Sequence, residues 1–393
     1  MTVPIAPISF APALAELDAR GLRRRRRTVR RDKPDSADVE LDGRRCIDFC
    51  SNDYLGLAAH PQVVEALIDA ARIHGVGARA SHLITGHQAE HAALEHELAL
   101  FSGRERAIVF STGYMANLGL ARALAGRDAG VYGDELNHAS LIDGGRLSGA
   151  RLHRYPHGDA AALERQLALQ ESGAALVLTD GVFSMDGDLA PLPALAAACS
   201  KHGAFLAVDD AHGLGVIGET GRGSLEHFGL SPAVVPALVG TFGKAFGTFG
   251  AFIAGSEEMI ETLIQRARTY IYTTALPPAV AAATRAALAV SIAEPWRRLH
   301  VLALTRRFRE LALAAGIRLA ASETPIQPIL LGDAEAAVRA SNELLERGFF
   351  VAAIRPPTVP AGTSRLRVTL SAAHRDADVE SLVAALAELL GPS

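Results

Sequence analysis

The chain has 393 residues, of which 49% are hydrophobic and 21% are charged, and its formal net charge is −4. A chain above roughly 250 to 300 residues is expected to form two domains, and this composition excludes disorder for most of it. So small a net charge gives no field that would draw the whole protein to nucleic acid or anionic lipid, which favours small-molecule partners.

Residues 11–22 predict a short amphipathic helix, followed by the arginines at 23–27 and a loop at 32–38. We interpret residues 1–55 as an N-terminal arm. The first 20 residues lack the basic start and continuous apolar stretch of a secretory signal, and the alanine-rich run from Ala275 is interrupted by prolines and an arginine. We therefore expect no membrane span.

From about residue 60, helix-like stretches alternate with short apolar runs, which is typical of an α/β sheet covered by helices on both faces. The apolar runs are 107–112, 130–134, 175–183, 205–213, 237–245 and 249–255. This alternation predicts a large α/β domain at 56–285 with a mostly parallel sheet.

The last part of the chain differs in pattern. A helical, alanine-rich stretch at about 277–315 leads to PIQPILLG, a second predicted helix at 334–347, GFFVAAI and RLRVTLS. These elements predict a smaller α+β domain at 286–393.

The cysteines indicate the compartment. Cys46, Cys50 and Cys199 contain no C-x-x-C pair and cannot build a disulfide framework. A reducing compartment is the simpler interpretation, so we expect a cytoplasmic protein.

Polar residues follow the apolar runs, which predicts one shared site at the carboxyl ends of the strands. Asp209 and His212 end one such run, where a carboxylate is costly unless a cation meets it. A protonated pyridine nitrogen would serve, with His212 bonding a neighbouring phenolic oxygen or the carboxylate. The alternative is a helix cap by Asp209 or Asp210 with an ordinary core histidine, and these residues alone favour neither.

Lys244 lies among small residues in TFGKAFGTFG (241–250), after another apolar run. A partly desolvated amine with space around it suits a Schiff base to pyridoxal 5′-phosphate (PLP). A solvent-facing lysine in a glycine-rich loop is the alternative. Thr241 is a candidate phosphate hydroxyl, or otherwise a strand-end cap.

Further upstream, FSTGYMANLG places Ser111 to Tyr114 ahead of a helix start, where backbone N–H groups bind anions. An ordinary helix cap has the same residues. Tyr114 or His138 could stack on an aromatic ring, although packing is the common role of either. Ser184 and Asp186 occupy a polar turn that ordinary loop chemistry also explains.

Seven segments resemble the α-oxoamine synthases, a branch of the fold-type I PLP-dependent enzymes. They are SNDYLGLA (51–58), FSTGYMAN (110–117), LNHASL (136–141), DGVFSMDGDLAPL (180–192), VDDAHGLGVIGETGRG (208–223), TFGKAFG (241–247) and IRPPTVPAGTSRLRVTLSAAH (354–374). The resemblance runs in order from about residue 11 to 385, and VDDAHG followed by TFGKAFG is far more specific than either alone.

The resemblance implies a fold-type I transferase with PLP as cofactor. It makes Lys244 the Schiff-base lysine, pairs Asp209 with the pyridine nitrogen and places His212 at the phenolic oxygen. His138 would stack on the cofactor and hydrogen-bond the acyl carbonyl. The remaining cofactor contacts implied are Gly113, Tyr114, Ser184, Thr241 and Thr274.

The resemblance also implies a homodimer with the site at its interface, in which Thr273 and Thr274 reach the cofactor phosphate of the other protomer. Arg367 would bind the carboxylate of the amino acid, for which a planar bidentate donor is suited. The alternative for Arg367 is an arginine at the protein surface, at the end of a strand. Asn52 is also assigned to the residues that bind the substrate.

One arginine of the basic run would contact the acyl substrate. We choose Arg24, with Arg23 or Arg25 as alternatives, and a solvated basic arm is the interpretation for the others. Nucleic acid or membrane binding is disfavoured, because the run lacks interleaved aromatic residues and the protein is net acidic.

The implied reaction is the condensation of L-alanine with a pimeloyl thioester, with loss of CO₂, in biotin biosynthesis. The stretch IRPPTVPAGTSRLRV favours it and would place Arg355 and Thr358 near the substrate; a proline-stiffened connection is the alternative. Other α-oxoamine synthases, which use glycine or serine with a different acyl-CoA, remain the alternative function. GVGARASHLITG is poorer in glycine and serine than its counterpart in many relatives, and Asp180 stands where many have glutamate.

Overall fold

The computed structural model describes residues 9–170 and 173–390. The first eight residues of the predicted arm and the last three of the predicted small domain lie outside these ranges. Within them, no helix is both long and apolar enough to cross a membrane. The boundaries of the predicted domains remain predictions.

The described strands form three sheets. They are β1 (Val29–Arg30), β2 (Asp38–Leu41), β3 (Arg44–Asp48), β4 (Arg106–Phe110), β5 (Gly130–Asp134), β6 (Arg151–Tyr155), β7 (Ala175–Asp180), β8 (Phe205–Asp209), β9 (Ala237–Thr241), β10 (Ala251–Gly255), β11 (Ile326–Gly332), β12 (Phe349–Phe350), β13 (Ala352–Ile354) and β14 (Ser364–Thr369).

The helices alternate with the central strands and flank the C-terminal ones. They are α1 (Ala11–Ala19), α2 (Pro61–His74), α3 (Ala89–Ser102), α4 (Gly113–Leu124), α5 (Ala139–Ser148), α6 (Ala160–Ala168), α7 (Leu192–His202), α8 (Ser224–His227), α9 (Glu257–Arg266), α10 (Arg268–Ile271), α11 (Pro278–Ala293), α12 (Trp296–Ala314), α13 (Ala334–Glu346) and α14 (Asp376–Leu390), with a π-helical turn at His82–Gly86.

The seven-stranded central sheet confirms the predicted α/β architecture. Its order is β4-β10-β9-β8-β7-β5-β6, and β6, β5, β7, β8 and β9 run parallel. Because β10 is antiparallel to both β9 and β4, strand β4 points the same way as the parallel set. The carboxyl ends of β4, β5, β7, β8 and β9 therefore meet at one edge of the sheet.

Two apolar layers hold the central sheet from its two faces. Along β7, Val177 packs in one layer, whereas Leu176 and Leu178 pack in the other. Strand β8 repeats this alternation with Val208 on the first side and Ala207 on the second. Side chains of a strand point to opposite faces in turn, so a continuous apolar run lets the sheet be buried on both sides.

The C-terminal part adds an antiparallel sheet of order β11-β14-β13. A four-stranded sheet, β1-β2-β3-β12, joins the N-terminal segment to this part, because β3 pairs in parallel with β12. The sequence predicted neither β1 to β3 nor β6. Strand β6 is an edge strand with mostly polar, partly exposed side chains, so it lacks the apolar run that indicated its neighbours.

The predicted helical stretch at about 277–315 is helical in the structure. It consists of two helices, α11 and α12, separated by Glu294 and Pro295. Proline disfavours the helical conformation of the residue before it and cannot donate a backbone hydrogen bond. The chain therefore turns at Glu294 before α12 begins.

His157 joins the loops that follow two neighbouring strands. Its Nδ1 lies 3.0 Å from Asp134 Oδ1 and its Nε2 lies 2.9 Å from Asp188 Oδ2. The hydrogen bond to Asp134, followed by that to Asp188, raises the pKa of His157 to about 10. The charged imidazolium thus ties the end of β5 to the turn after β7, which carries Ser184.

We expect His157→Gln to lower the free energy of unfolding by about 2 kcal/mol at pH 6, because two charge-assisted hydrogen bonds are lost. A histidine whose pKa is raised in the folded state contributes its full stabilisation of the fold below its unfolded pKa of about 6.5. That contribution is lost as the pH rises through the folded pKa of about 10. The deficit of the variant should therefore shrink toward zero above pH 10.

Urea unfolding at pH 6 and above pH 10 measures this deficit. His227→Gln is the matched control, since His227 is exposed and forms no ion pair in the described part of the chain. An equal deficit of His157→Gln at both pH values would contradict the assignment.

Candidate active site

Asp209 ends β8 and is 6% exposed. Its Oδ2 accepts a hydrogen bond from Asn117 Nδ2 at 2.6 Å, and its Oδ1 accepts one from the backbone N–H of Ala211 at 3.0 Å. It forms no ion pair with any described residue within 4.0 Å. A buried carboxylate that accepts these bonds but has no close counter-ion suits a cationic ligand atom.

Neither Asp209 nor Asp210 is the N-cap residue of a described helix, because α8 has Gly223 at that position, but Asp210 has a structural contact of its own with the start of α8. Asp210 Oδ2 accepts a hydrogen bond from the backbone N–H of Ser224, the first residue of α8, at 2.6 Å. Burial raises the pKa of Asp210 to about 7. Because Asp210 takes this structural role, Asp209 remains available for a ligand.

His212 is buried against Tyr54, a residue to which the sequence assigned no role. Tyr54 Oη lies 2.6 Å from His212 Nδ1. Burial, followed by the charge of Lys244, moves the pKa of His212 well below its ordinary value, so the imidazole is neutral. Tyr54 lies within SNDYLGLA, but nothing local in that motif points to a histidine 158 residues away.

Lys244 follows β9 at the same edge. Burial lowers the pKa of its amine to about 8, against the opposing charges of Asp209 and Asp180. In the described part of the chain, no hydrogen bond or ion pair occupies its Nζ. The amine is therefore available as a nucleophile and partly unprotonated near neutral pH.

The glycines beside Lys244 serve the packing of the chain as well as the space around the amine. Gly247 has φ +65°, and a Cβ there would lie 2.3 Å from the backbone nitrogen of Ala58. At Gly243 a Cβ would lie 3.6 Å from its nearest neighbour, the Thr248 carbonyl oxygen, which is ordinary contact. Gly247 thus lets the lysine loop approach the segment that carries Tyr54.

His138 precedes α5 and lies beside β7. Its backbone N–H donates to Asp180 Oδ2 at 2.6 Å, and its Nδ1 accepts a hydrogen bond from the backbone N–H of Ser140 at 3.3 Å. Burial is the main reason why the pKa of His138 is lowered, although the charge of Asp209 opposes it. Burial, followed by the charge of Asp209, raises the pKa of Asp180. Asp180 therefore positions His138 through the main chain.

The segment after β4 begins α4 at Gly113. Thr112 caps this helix by accepting a hydrogen bond from the Met115 N–H at 3.1 Å, so the N–H groups of Gly113 and Tyr114 head the helix. The first N–H groups of a helix lack internal acceptors and attract anions. The Tyr114 ring is partly exposed, and its hydroxyl donates to Asp143.

Thr241 Oγ1 donates to the Gly250 carbonyl at 3.0 Å, which supports the interpretation of Thr241 as a strand-end cap. The same Oγ1 can still accept a hydrogen bond from a ligand. The carbonyl of Ser184 accepts from Arg367 Nε at 2.7 Å, which joins this turn to β14. The Ser184 hydroxyl has no partner among the described residues.

Arg367 is buried, at 6% exposed, so the surface alternative for it is wrong. Its Nη1 donates to Thr369 Oγ1 at 2.9 Å and its Nη2 to Asn52 Oδ1 at 3.2 Å, and no carboxylate pairs with it in the described chain. By contrast Arg365, two residues earlier on β14, pairs with Asp186 at 2.5 Å. A buried guanidinium without a counter-ion suits an anionic ligand.

The basic arm meets the C-terminal part. Arg24 Nη2 donates to Thr358 Oγ1 at 2.9 Å, and Arg355 donates to the carbonyls of Gly21 and Arg23. The structure thus brings together two predicted substrate residues. Thr274 is exposed and forms no hydrogen bond with any described residue, so its predicted role stays a prediction.

These residues fit PLP. The free amine of Lys244 suits a Schiff base, Asp209 suits a protonated pyridine nitrogen, and the start of α4 suits a phosphate. The neutral His212 can hydrogen-bond an anionic ring oxygen through its Nε2 if Tyr54 donates to its Nδ1.

Comparison with known proteins gives a family. The model of the family "Aminotransferase class I and II" matches residues 44–386. An 8-amino-7-oxononanoate synthase of Thioalkalivibrio sulfidiphilus is 60% identical over 375 residues, covering 95% of each chain.

Two solved structures share the fold. A serine palmitoyltransferase from S. paucimobilis, solved with PLP bound to myriocin, has a TM-score of 0.90 at 32% identity and covers 96% of each chain. An 8-amino-7-oxononanoate synthase from Francisella tularensis has a TM-score of 0.76 at 32% identity, covering 87% of this chain and 97% of that one. The chain therefore belongs to the PLP-dependent 8-amino-7-oxononanoate synthase family, within the class I and II aminotransferases.

Proposed function

We propose that the chain condenses L-alanine with a pimeloyl thioester, either pimeloyl-CoA or a pimeloyl carrier protein, in biotin biosynthesis. The products are 8-amino-7-oxononanoate, CO₂ and the free carrier. The observation that carries the proposal is Arg367, a buried guanidinium without a counter-ion among the described residues, which suits an amino-acid carboxylate. The relative at 60% identity is an 8-amino-7-oxononanoate synthase, which supports this reaction over a condensation of glycine or serine.

Asp209, Arg367 and Lys244 each have a task in this reaction. When bound, PLP supplies an electron sink that stabilises negative charge on the α-carbon of the amino acid. Asp209 keeps a proton on the ring nitrogen, and Arg367 orients the carboxylate of alanine. The amine of Lys244, with its pKa near 8, takes the α-proton of alanine.

The bond changes follow from these positions. The α-carbon of alanine bonds to the thioester carbonyl carbon, the C–S bond breaks, and the carrier leaves as a thiolate, which takes a proton from the solvent. His138 donates a hydrogen bond to the carbonyl oxygen while negative charge develops there. The bond from the α-carbon to the carboxylate then breaks to release CO₂, and Lys244 returns a proton to the α-carbon. Arg24 and Thr358 hold the distal part of the acyl chain.

A homodimer and a cytoplasmic location are parts of the proposal. Large apolar side chains lie exposed near the predicted interface residue Thr274, with Tyr272 70% exposed, and more follow α2, with Val76 89% exposed. Covering these apolar side chains in a protein contact would remove them from water. The cysteines Cys46, Cys50 and Cys199 are free thiols, which suits a reducing compartment.

Purified protein incubated with PLP, L-alanine and pimeloyl-CoA is expected to release CoA thiol and CO₂ in equal amounts. Mass spectrometry should identify 8-amino-7-oxononanoate as the product. Glycine with succinyl-CoA or acetyl-CoA is the comparison. Turnover of those pairs without turnover of alanine would show that a different α-oxoamine synthase activity is present.

Replacing the Schiff-base lysine gives a second test. Lys244→Ala is expected to reduce thiol release at least ~1000-fold, because the nucleophile and the proton acceptor are lost together. The chain has only three lysines, Lys33, Lys201 and Lys244, so borohydride reduction followed by peptide mapping identifies the modified one directly. Lys201→Ala is the control, since Lys201 forms a surface ion pair with Glu164. Unchanged turnover in Lys244→Ala would refute the assigned base.

Arg367→Lys is expected to raise the KM for alanine roughly 30- to 100-fold, because a planar two-pronged donor becomes a single ammonium. Steady-state kinetics at fixed pimeloyl-CoA measures this change. Arg365→Lys is the matched control on the same strand, because its guanidinium is already paired with Asp186. It should lower stability and leave the KM for alanine within about twofold; equal KM changes in both variants would contradict the role of Arg367.

A further inference from the structure

A buried run of hydrogen bonds joins Asp209 to His138. Asn117 Nδ2 lies 2.6 Å from Asp209 Oδ2 and 2.8 Å from Ser140 Oγ. Ser140 Oγ lies in turn 2.7 Å from His138 Nδ1. Asn117 and Ser140 are each 1% exposed, so water does not compete for these bonds. Two residues of the site are thus connected through two side chains to which the proposed reaction gives no task.

The donor and acceptor of each bond can be assigned. An ionised Asp209 only accepts, so the atom of Asn117 that faces it is the amide nitrogen. The same nitrogen gives its second proton to Ser140 Oγ. The reverse orientation of the amide would aim Asn117 Oδ1 at the carboxylate. Since Ser140 Oγ accepts from Asn117, its own proton is free to be donated to His138.

The main chain fixes the last member of the run. The backbone N–H of Ser140 donates to His138 Nδ1 at 3.3 Å, and a backbone N–H cannot accept. His138 Nδ1 therefore presents its lone pair to both the hydroxyl and the N–H of Ser140. A neutral imidazole with an unprotonated Nδ1 carries its proton on Nε2.

We infer that Asn117 and Ser140 are positioning residues that hold His138 as the Nε2–H tautomer, so that it meets the substrate as a hydrogen-bond donor. This inference rests on the proposed function, because the contact between His138 and the acyl carbonyl is part of that proposal. The tautomer itself is a property of the protein and can be measured without turnover.

The surroundings of His138 keep it neutral in this arrangement. Burial lowers its pKa, and the charge of Lys244 acts in the same direction, whereas Asp209 and Asp143 oppose both. Asp180 accepts the backbone N–H of His138 and faces it from β7. The titratable groups around the ring are therefore Asp143, Asp180, Asp209, Lys244 and the neutral His212.

Long-range ¹H–¹⁵N spectra of full-length protein labelled with ¹⁵N-histidine distinguish the two tautomers. The resonances of His138 are those that disappear in His138→Gln. Spectra recorded at pH 8 with PLP bound, and again after its removal, should both show the Nε2–H pattern. A His138 that carries its proton on Nδ1 in the cofactor-free protein would overturn the inference, whatever the substrate of the enzyme proves to be.

Ser140→Ala removes one donor to Nδ1 and should raise the titration midpoint of His138 by roughly half to one pH unit. Asn117→Leu, which has the same branched shape but no polar atoms, should let both tautomers appear and weaken PLP binding roughly tenfold, because Asp209 loses its side-chain donor. Ser148→Ala is the matched control: Ser148 is buried on the same helix but bonds only Gly145 and Ala150.

The control should leave the His138 signals unchanged. The inference fails if Ser140→Ala keeps both the tautomer and the titration of the unaltered protein, or if Ser148→Ala shifts them equally. Because these spectra need no substrate, a failure here is separate from a failure of the proposed condensation, which the thiol-release assay alone decides.

Discussion

The buried carboxylate of Asp209 is the constraint on which the arrangement of the site depends. Removing an ionised group from water costs several kcal/mol unless hydrogen bonds replace its hydration. The amide of Asn117 and the N–H of Ala211 supply part of that replacement, whereas the neighbouring Asp210 accepts the backbone N–H of Ser224. A cationic ring nitrogen would complete it, so the protein is built around a charge that the cofactor balances.

The sequence predicted the central sheet and the edge at which the site lies. Continuous apolar runs mark strands that are buried on both faces, and polar residues directly after them must lie at the carboxyl ends. Lys244, Asp209 and His212 could be found for this reason. Strands β1 to β3 and β6 escaped prediction because they are short or partly exposed, so they lack such runs.

Contacts between distant parts of the chain could not be predicted in the same way. Tyr54 reaches His212, and Asn117 reaches Asp209, across 158 and 92 residues. Arg365 and Arg367 look alike in the sequence RLR, although one is paired with Asp186 and the other is free for an anion. Only the position of other segments decides which arginine is neutralised within the protein.

Strand β3 pairs with β12, and the segment beside it closes the site from the opposite end of the chain. Asn52 accepts from Arg367, 315 residues later, and the carbonyl of Phe49 accepts from the N–H of Thr369. During synthesis on a ribosome, the N-terminal segment must therefore wait for almost the entire chain before it finds these partners. The contact between Asn52 and Arg367 cannot form until Arg367 has been made. An unfinished chain can therefore contain the loop of Lys244 and still lack the arginine that binds the carboxylate of an amino acid.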